Sequence, residues 1–263
     1  MDLFLRDKVA VITGPAKGMG AAISLAFAEE GAHLALLGRD TRAIGPVAEQ
    51  ARCRGVQVEV MACDVTDGAG VETTAAAIHD RFGRIDILVN VAGGTGPIGK
   101  TGLETTQEEF DEIVHLNLRG PFNMIRAVAP FMARGGGGRI VNVGGTFGMR
   151  GRAMRLSYSS SKWGLRGLTK SFALELGPDN IAVNIVAPGM VDGPRFREKV
   201  VPQVAAQHGI SEAEAATLHA ADYALGRIST DRDVADATLF LASERARQIT
   251  GVDLPVDGGW AAL

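Results

Sequence analysis

Short apolar runs without polar alternation recur along the chain, each followed by a longer stretch with apolar residues at helical spacing. Lys8–Thr13, His33–Gly38, Val56–Ala62, Ile85–Asn90, Gly138–Val143, Ile181–Ala187 and Val252–Val256 read as strands. They are rich in Val, Ile, Leu and Ala, as a parallel sheet covered on both faces requires. Between them, Gly18–Gly31, Arg42–Arg54, Gly70–Phe82, Gln107–Asn117, Gly120–Ala133, Ser157–Gly177 and Asp231–Ala242 read as helices. Repeated βα units impose right-handed crossovers, so the expected fold is α/β: a doubly wound parallel sheet of about seven strands with helices on both faces. One stretch breaks the rhythm, a polar, helix-prone insertion from about Arg195 to Ala224. No Pro/Ser-rich linker or internal repeat divides the chain. We expect one domain over residues 1–263, with a substrate lid at about 190–224.

Composition narrows the function. A single α/β domain accommodates 263 residues, and 34 glycines suit many tight strand-to-helix turns. The net charge of −3, with no dominant basic patch, argues against nucleic acid as a partner. Cys53 and Cys63 have neither CxxC spacing nor a histidine cluster, so they read as core thiols in a reducing compartment and no metal is expected. Met1–Lys8 is charged and lacks the apolar core of a signal peptide. With no apolar run long enough to span a bilayer, the expected location is the cytoplasm and no membrane partner is expected.

Two segments carry candidate chemistry. Thr13-Gly14-Pro15-Ala16-Lys17-Gly18-Met19-Gly20 joins the first strand to the first helix, where a dinucleotide's pyrophosphate is held by a close backbone and the free N–H groups of the helix start. The second strand ends Leu37-Gly38-Arg39-Asp40. The place of the usual ribose-binding carboxylate falls on Gly38, and Arg39 with Lys17 would attract a ribose phosphate, favouring NADP(H) over NAD(H). The alternative is that both are surface charges and Asp40 binds the ribose. Farther on, Tyr158 and Lys162 stand four residues apart, one turn of helix. A phenol ionises near pH ~10, and an adjacent ammonium lowers that value. The pair is a candidate proton-transfer device.

In this order the motifs resemble the short-chain dehydrogenase/reductase family, from Lys8 to Val256-Asp257-Gly258-Gly259. The Gly14, Gly18, Gly20 turn, Asp64-Val65, Asn90-Val91-Ala92-Gly93, Asn117, Tyr158-x-x-x-Lys162 and Pro188-Gly189 match its signatures, with Val91 where the family has a second Asn. The resemblance implies a Rossmann-like fold and an oxidoreductase passing hydride between a nicotinamide and a carbonyl or secondary alcohol. Lys162 would hold the nicotinamide ribose and lower the Tyr158 pKa. Tyr158 would exchange the proton, and Asn117 would support a water relay to Lys162. Contacts to the cofactor are implied for Gly14, Lys17, Gly18, Met19, Gly20, Arg39, Asp64, Val65, Asn90, Ala92, Gly93, Tyr158, Lys162, Pro188, Gly189 and Val191. Assembly as a homo-oligomer, a tetramer or dimer, is implied as well.

Two positions depart from the pattern. Thirteen residues before Tyr158, where the family carries a serine that orients the substrate oxygen, stands Gly145. Three explanations compete: the Thr146 hydroxyl substitutes, a substrate hydroxyl or water fills the gap, or the chain is a catalytically weak nucleotide-binding relative serving as sensor or subunit partner. Losing one such donor costs about 10²–10³ in rate rather than all activity, which favours an enzyme. Gly193 stands where the resemblance implies a threonine that binds the nicotinamide carboxamide, leaving the Val191 backbone, with Asp192 as the alternative. Arg150, Arg152 and Arg155 crowd the approach to Tyr158, facing Arg195 and Arg197 on the opposite loop. They could clamp a small anionic substrate, or be solvated and paired with the insertion's acids. Met190, Phe196 and Tyr223 supply apolar contacts, and we expect Arg155, Met190, Arg195 and Phe196 at the substrate.

Overall fold

In a computed structural model, which describes residues 2–193 and 196–262, the elements run β1 (Val9–Thr13), α1 (Gly18–Glu29), β2 (His33–Gly38), α2 (Thr41–Arg52), β3 (Val58–Ala62), α3 (Gly68–Phe82), β4 (Ile87–Asn90), α4 (Gln107–Val114), α5 (Gly120–Arg134), β5 (Gly138–Val143), α6 (Leu156–Leu176) and β6 (Ile181–Pro188). Then come β7 (Val191–Asp192), α7 (Val201–His208), α8 (Glu212–Ala221), β8 (Ser229–Thr230), α9 (Asp231–Ala242) and β9 (Asp253–Val256). Seven parallel strands form one sheet in the order β3-β2-β1-β4-β5-β6-β9. The alternating residues of β1 show why its sequence is apolar throughout. Ala10 and Ile12 join a cluster with Ile23 and Phe27 of α1 and Val234 and Leu239 of α9. Val11 faces the other way, into a cluster with Val71, Ala75 and Ile78 of α3 and Met124, Ile125 and Val128 of α5. Each fully buried side chain of this size is worth about 1.5–3 kcal/mol relative to exposure.

The chain winds outward from β1 in one direction and resumes at β4 in the other, so the switch point lies between β1 and β4. Thr13 and Asn90 are paired there at the strands' carboxyl ends, where doubly wound sheets bind ligands. Between α4 and α5 the sequence suggests a break, yet the helical path continues through one wide π turn at His115–Arg119. The insertion folds as α7 and α8 around its own apolar cluster of Phe196, Val201, Ala205 and Ala215. It is tethered by the short β7–β8 pair. One expectation is corrected: Cys63 is buried but Cys53 is exposed, because it caps the exposed end of α2 rather than facing the sheet. Among the described residues no helix is long and apolar enough to cross a membrane, and no three His, Cys, Asp or Glu side chains cluster as metal ligands would.

Candidate active site

The glycine turn is packed into a cradle. A Cβ on Gly14 would stand 2.9 Å from the Ala92 Cα, and one on Gly20 would run into the Gly14 carbonyl. Gly14 and Gly18 have φ of +67° and +56°, which L side chains rarely adopt. The Thr13 hydroxyl accepts from the Val91 and Ala92 N–H groups at 3.0 Å each, fastening the loop after β4 beside the turn. The first turn of α1 has no acidic residue and no side-chain cap, so its N–H groups and the helix dipole are available to an anion. These features fit a dinucleotide's pyrophosphate.

At the adenosine end, Asp40 caps α2 by accepting from the Arg42 and Ala43 N–H groups at 3.0 and 3.2 Å. That carboxylate is spent on the helix, which leaves Arg39 as the charged group just past the end of β2. Asp64 accepts from the Thr66 N–H and hydroxyl at 2.9 and 2.7 Å. These bonds, with a smaller contribution from the Arg39 charge, hold its carboxyl below the ordinary range. The Arg39 charge is thus near enough to act on Asp64. Val65 turns its side chain away from the cleft, against Gly120, so it meets a ligand only through its backbone. Asn90 is likewise a brace: its amide donates to the Asn142 side chain at 2.8 Å, tying β4 to β5.

Lys162, on α6, is buried and donates to the Val143 carbonyl at the end of β5 at 2.8 Å. Burial pushes its ammonium down to about 8, so it is still charged near neutrality. Its Nζ lies 5.7 Å from the centre of the Tyr158 ring. Asn117 sits in the π turn and is wholly occupied. It accepts from the Gly94 N–H at 2.8 Å and donates to the Gly94 carbonyl and the Ser161 hydroxyl at 3.0 Å each. Ser161 donates in turn to the Tyr158 carbonyl at 2.8 Å. The Asn117 side chain thus positions the loop after β4 against the Tyr158 turn of α6. The side chain is engaged there, so a relay water would meet Asn117 at its backbone carbonyl.

Two cavities meet at Tyr158. A cleft of about 270 Å³ is lined by Lys17, Gly18, Met19 and Gly144, by Pro188, Gly189, Met190 and Val191, and by Gly193, Phe196, Asp231 and Tyr158. A pocket of about 110 Å³ on its other side is lined by Gly145, Thr146, Phe147, Arg152, Arg155 and Tyr158, with Met190, His219, Asp222, Tyr223 and Trp260 closing it. Gly145 is the position that faces the phenol: a Cβ there would lie 2.8 Å from the Tyr158 Oη. Its φ of 162° is ordinary extended backbone, so the fold does not demand glycine. The Tyr158 ring is held edge-on by Phe147 at 6.2 Å and covered by the Arg155 guanidinium at 5.0 Å.

Phe196 belongs to the cleft on the Lys17 side and to the core of the insertion, not to the small pocket. Arg195 lies outside the described residues. Arg197 is paired with Asp192 at 2.7 and 2.8 Å and Arg150 stacks on Trp260 at 4.6 Å; the arginines that line the small pocket are Arg152 and Arg155.

Two pocket residues, His219 and Trp260, escaped the sequence reading. His219 of α8 packs between Phe196 and Tyr223 at 5.4 and 6.0 Å. Its Nε2 is buried with no hydrogen-bond partner among the described residues, and burial lowers its pKa. Tyr223 accepts from the Met190 N–H at 2.9 Å, pinning the end of the insertion to the loop after β6. Trp260 comes from beyond β9 and packs on Phe147 at 5.5 Å. Nothing in the spacing of His219 or Trp260 marks them, because only the fold brings them to Tyr158.

A sheet-end cradle shaped for a dinucleotide, opening onto a phenol with a buried amine one turn away, defines a nucleotide-dependent oxidoreductase. Known proteins agree. The family described as enoyl-(acyl carrier protein) reductase matches residues 14–261. The 3-oxoacyl-(acyl-carrier-protein) reductase FabG of Thermotoga maritima is 34% identical over 97% of this chain and 98% of its own. Among solved structures, NAD+-bound xylitol dehydrogenase superposes with a TM-score of 0.89 at 30% identity, covering 97% of this chain and 100% of that one. A variant actinorhodin polyketide ketoreductase with NADPH gives 0.90 at 31% identity, covering 98% of both chains. The chain belongs to the short-chain dehydrogenase/reductase family. It is an NAD(P)-dependent oxidoreductase acting on alcohol or carbonyl substrates.

Proposed function

We propose that the chain is an NADP(H)-dependent reductase or dehydrogenase of a small, anionic carbonyl or secondary-alcohol compound. The observation that carries this is the position of Tyr158 in the lining of both cavities: its phenol can reach a substrate in the small pocket while a cofactor fills the cleft. A bound nicotinamide would supply or accept the hydride. Tyr158 gives its proton to the substrate oxygen in reduction and takes one in oxidation. Lys162 stays charged below about 8 and favours the phenolate. Arg152 and Arg155 supply the positive charge for an anionic group, with Asp222 limiting the net charge of the pocket. The neutral imidazole of His219 offers a substrate hydroxyl a buried partner. Thr146, next to Gly145 in the chain and also in the pocket lining, is the candidate for orienting the substrate oxygen.

Preference for the phosphorylated cofactor rests on Arg39 beside Asp64 and on the commitment of Asp40 to its helix. The α7–α8 segment, pinned through Tyr223, is the lid that excludes water when substrate is in place. Exposed Phe122, Leu156, Trp163 and Leu174 on α5 and α6 are the surface we assign to a homo-oligomer interface. A cytoplasmic setting follows from the same reading.

Gly145 supports a second reading, a nucleotide-binding protein of little activity. Following NADPH absorbance against ketones and alcohols that carry carboxylate or phosphate groups, with Tyr158→Phe as control, separates the two. Turnover that Tyr158→Phe abolishes supports the enzyme. Tight cofactor binding without turnover on any compound supports the second reading.

A further inference from the structure

Asp231 is the one carboxylate lining the 270 Å³ cleft among the described residues. It begins α9 but does not cap it. The capping carboxylate is Asp233, which accepts from the Thr230 N–H and hydroxyl at 2.7 and 2.8 Å. Asp231 has no hydrogen bond or ion pair with any described side chain, and its neighbour Asp192 pairs with Arg197. Its two oxygens point at two glycines on opposite walls. A Cβ on Gly18 would be 3.9 Å from Oδ1, and a Cβ on Gly193 would be 4.0 Å from Oδ2. The carboxylate thus lies between the α1 turn and the loop after β6, and among the described residues it is the one group within 4 Å of where a side chain at 193 would begin.

Such a group is out of place beside a diphosphate, which it repels. A helix start ordinarily favours an acid, yet burial and the Asp192 charge push the Asp231 carboxyl above its usual value. A donor in the cleft would compensate it. In a nicotinamide dinucleotide the diphosphate has no donor; the ribose hydroxyls and adenine amine are donors, but the carboxamide, with two N–H groups, is the one that the family resemblance brings to position 193.

We propose that Asp231 is a cofactor-contacting residue whose carboxylate accepts a hydrogen bond from the carboxamide N–H2 of the nicotinamide, in the gap left beside Gly193. The bond fixes which face of the ring is turned toward Tyr158. This inference rests on the nicotinamide reading of the cleft.

The test measures dissociation constants by calorimetry for the wild-type protein, Asp231→Ala and Asp231→Asn, without substrate. The ligands are NADP+, its acetylpyridine analogue, which lacks the amide N–H groups, and phosphorylated ADP-ribose, which lacks the ring altogether. The wild type should favour NADP+ over the acetylpyridine analogue by about tenfold or more, the worth of one hydrogen bond to a charged group. Asp231→Ala should erase that preference while binding phosphorylated ADP-ribose at least as well as the wild type, which also shows that it folds. Asp231→Asn should retain part of the preference through its remaining oxygen. The proposal is overturned if Asp231→Ala keeps the wild-type preference, or if it changes all three ligands alike. Should the wild type bind phosphorylated ADP-ribose as tightly as NADP+, the nicotinamide reading of the cleft itself fails.

Discussion

Removing the Lys162 amine should make the protein more stable near neutrality and less useful. Its ammonium is pushed from 10.5 to about 8 by burial, and each pH unit of displacement corresponds to about 1.4 kcal/mol. Holding the charged amine inside therefore costs about 3 kcal/mol below pH ~8, offset in part by its bond to the Val143 carbonyl. The sign of the pH dependence follows. Between about 8 and 10.5 the unfolded chain still binds a proton that the native chain has released, so native stability rises with pH across that window. Lys162→Met abolishes this rise. To keep the Tyr158 phenol out of the titration, urea unfolding should compare Tyr158→Phe with the double variant Tyr158→Phe/Lys162→Met. The double variant's stability relative to the single one should fall by about 3 kcal/mol from pH ~7 to pH ~10.5. A difference that stays constant over this range would refute the claim that the amine is held charged and desolvated.

Three other substitutions probe separate parts of the site. Gly145→Ala places a methyl 2.8 Å from the Tyr158 Oη; the displaced phenol should lower kcat by about tenfold or more with NADPH affinity unchanged, measured by steady-state kinetics and calorimetry. Arg39→Asp should lower the NADPH-to-NADH affinity ratio by about 10- to 100-fold, and an unchanged ratio would remove the phosphate assignment. Asn117→Ala unpairs Gly94 and Ser161, costing about 2–4 kcal/mol in urea unfolding. A loss of activity without any loss of stability would instead point to a direct role in proton transfer.

The rhythm of apolar runs and amphipathic stretches predicts the sheet because both faces of every central strand are covered. The bounds of β2 and α9 coincide with the expected His33–Gly38 and Asp231–Ala242. The π turn around Asn117 was not legible, since it depends on a clamp to Gly94 and Ser161 from elsewhere in the fold. The same holds for the short β7–β8 pair, two residues in each strand, too brief to leave a pattern. Within the site, Tyr158, Lys162 and the glycine turn are local motifs and could be read directly. Asn90 and Val65 belong to the right segments, but their side chains serve the core, and that assignment is made by packing. Asp231 reaches the cleft, and His219 and Trp260 the small pocket, from distant parts of the chain, so spacing alone carried no trace of them.

Proton exchange at this site requires that the phenol beside the buried amine be kept acidic enough to ionise near neutrality. The chain has only two tyrosines, and burial raises the pKa of the other, Tyr223. Ultraviolet titration of phenolate formation in the cofactor-free protein can therefore assign each step. One phenol should ionise well below the ordinary value of about 10, in a step absent from Tyr158→Phe and moved upward in Lys162→Met. A low step that survives in Tyr158→Phe, or two phenols that both ionise at or above the ordinary value, would contradict it.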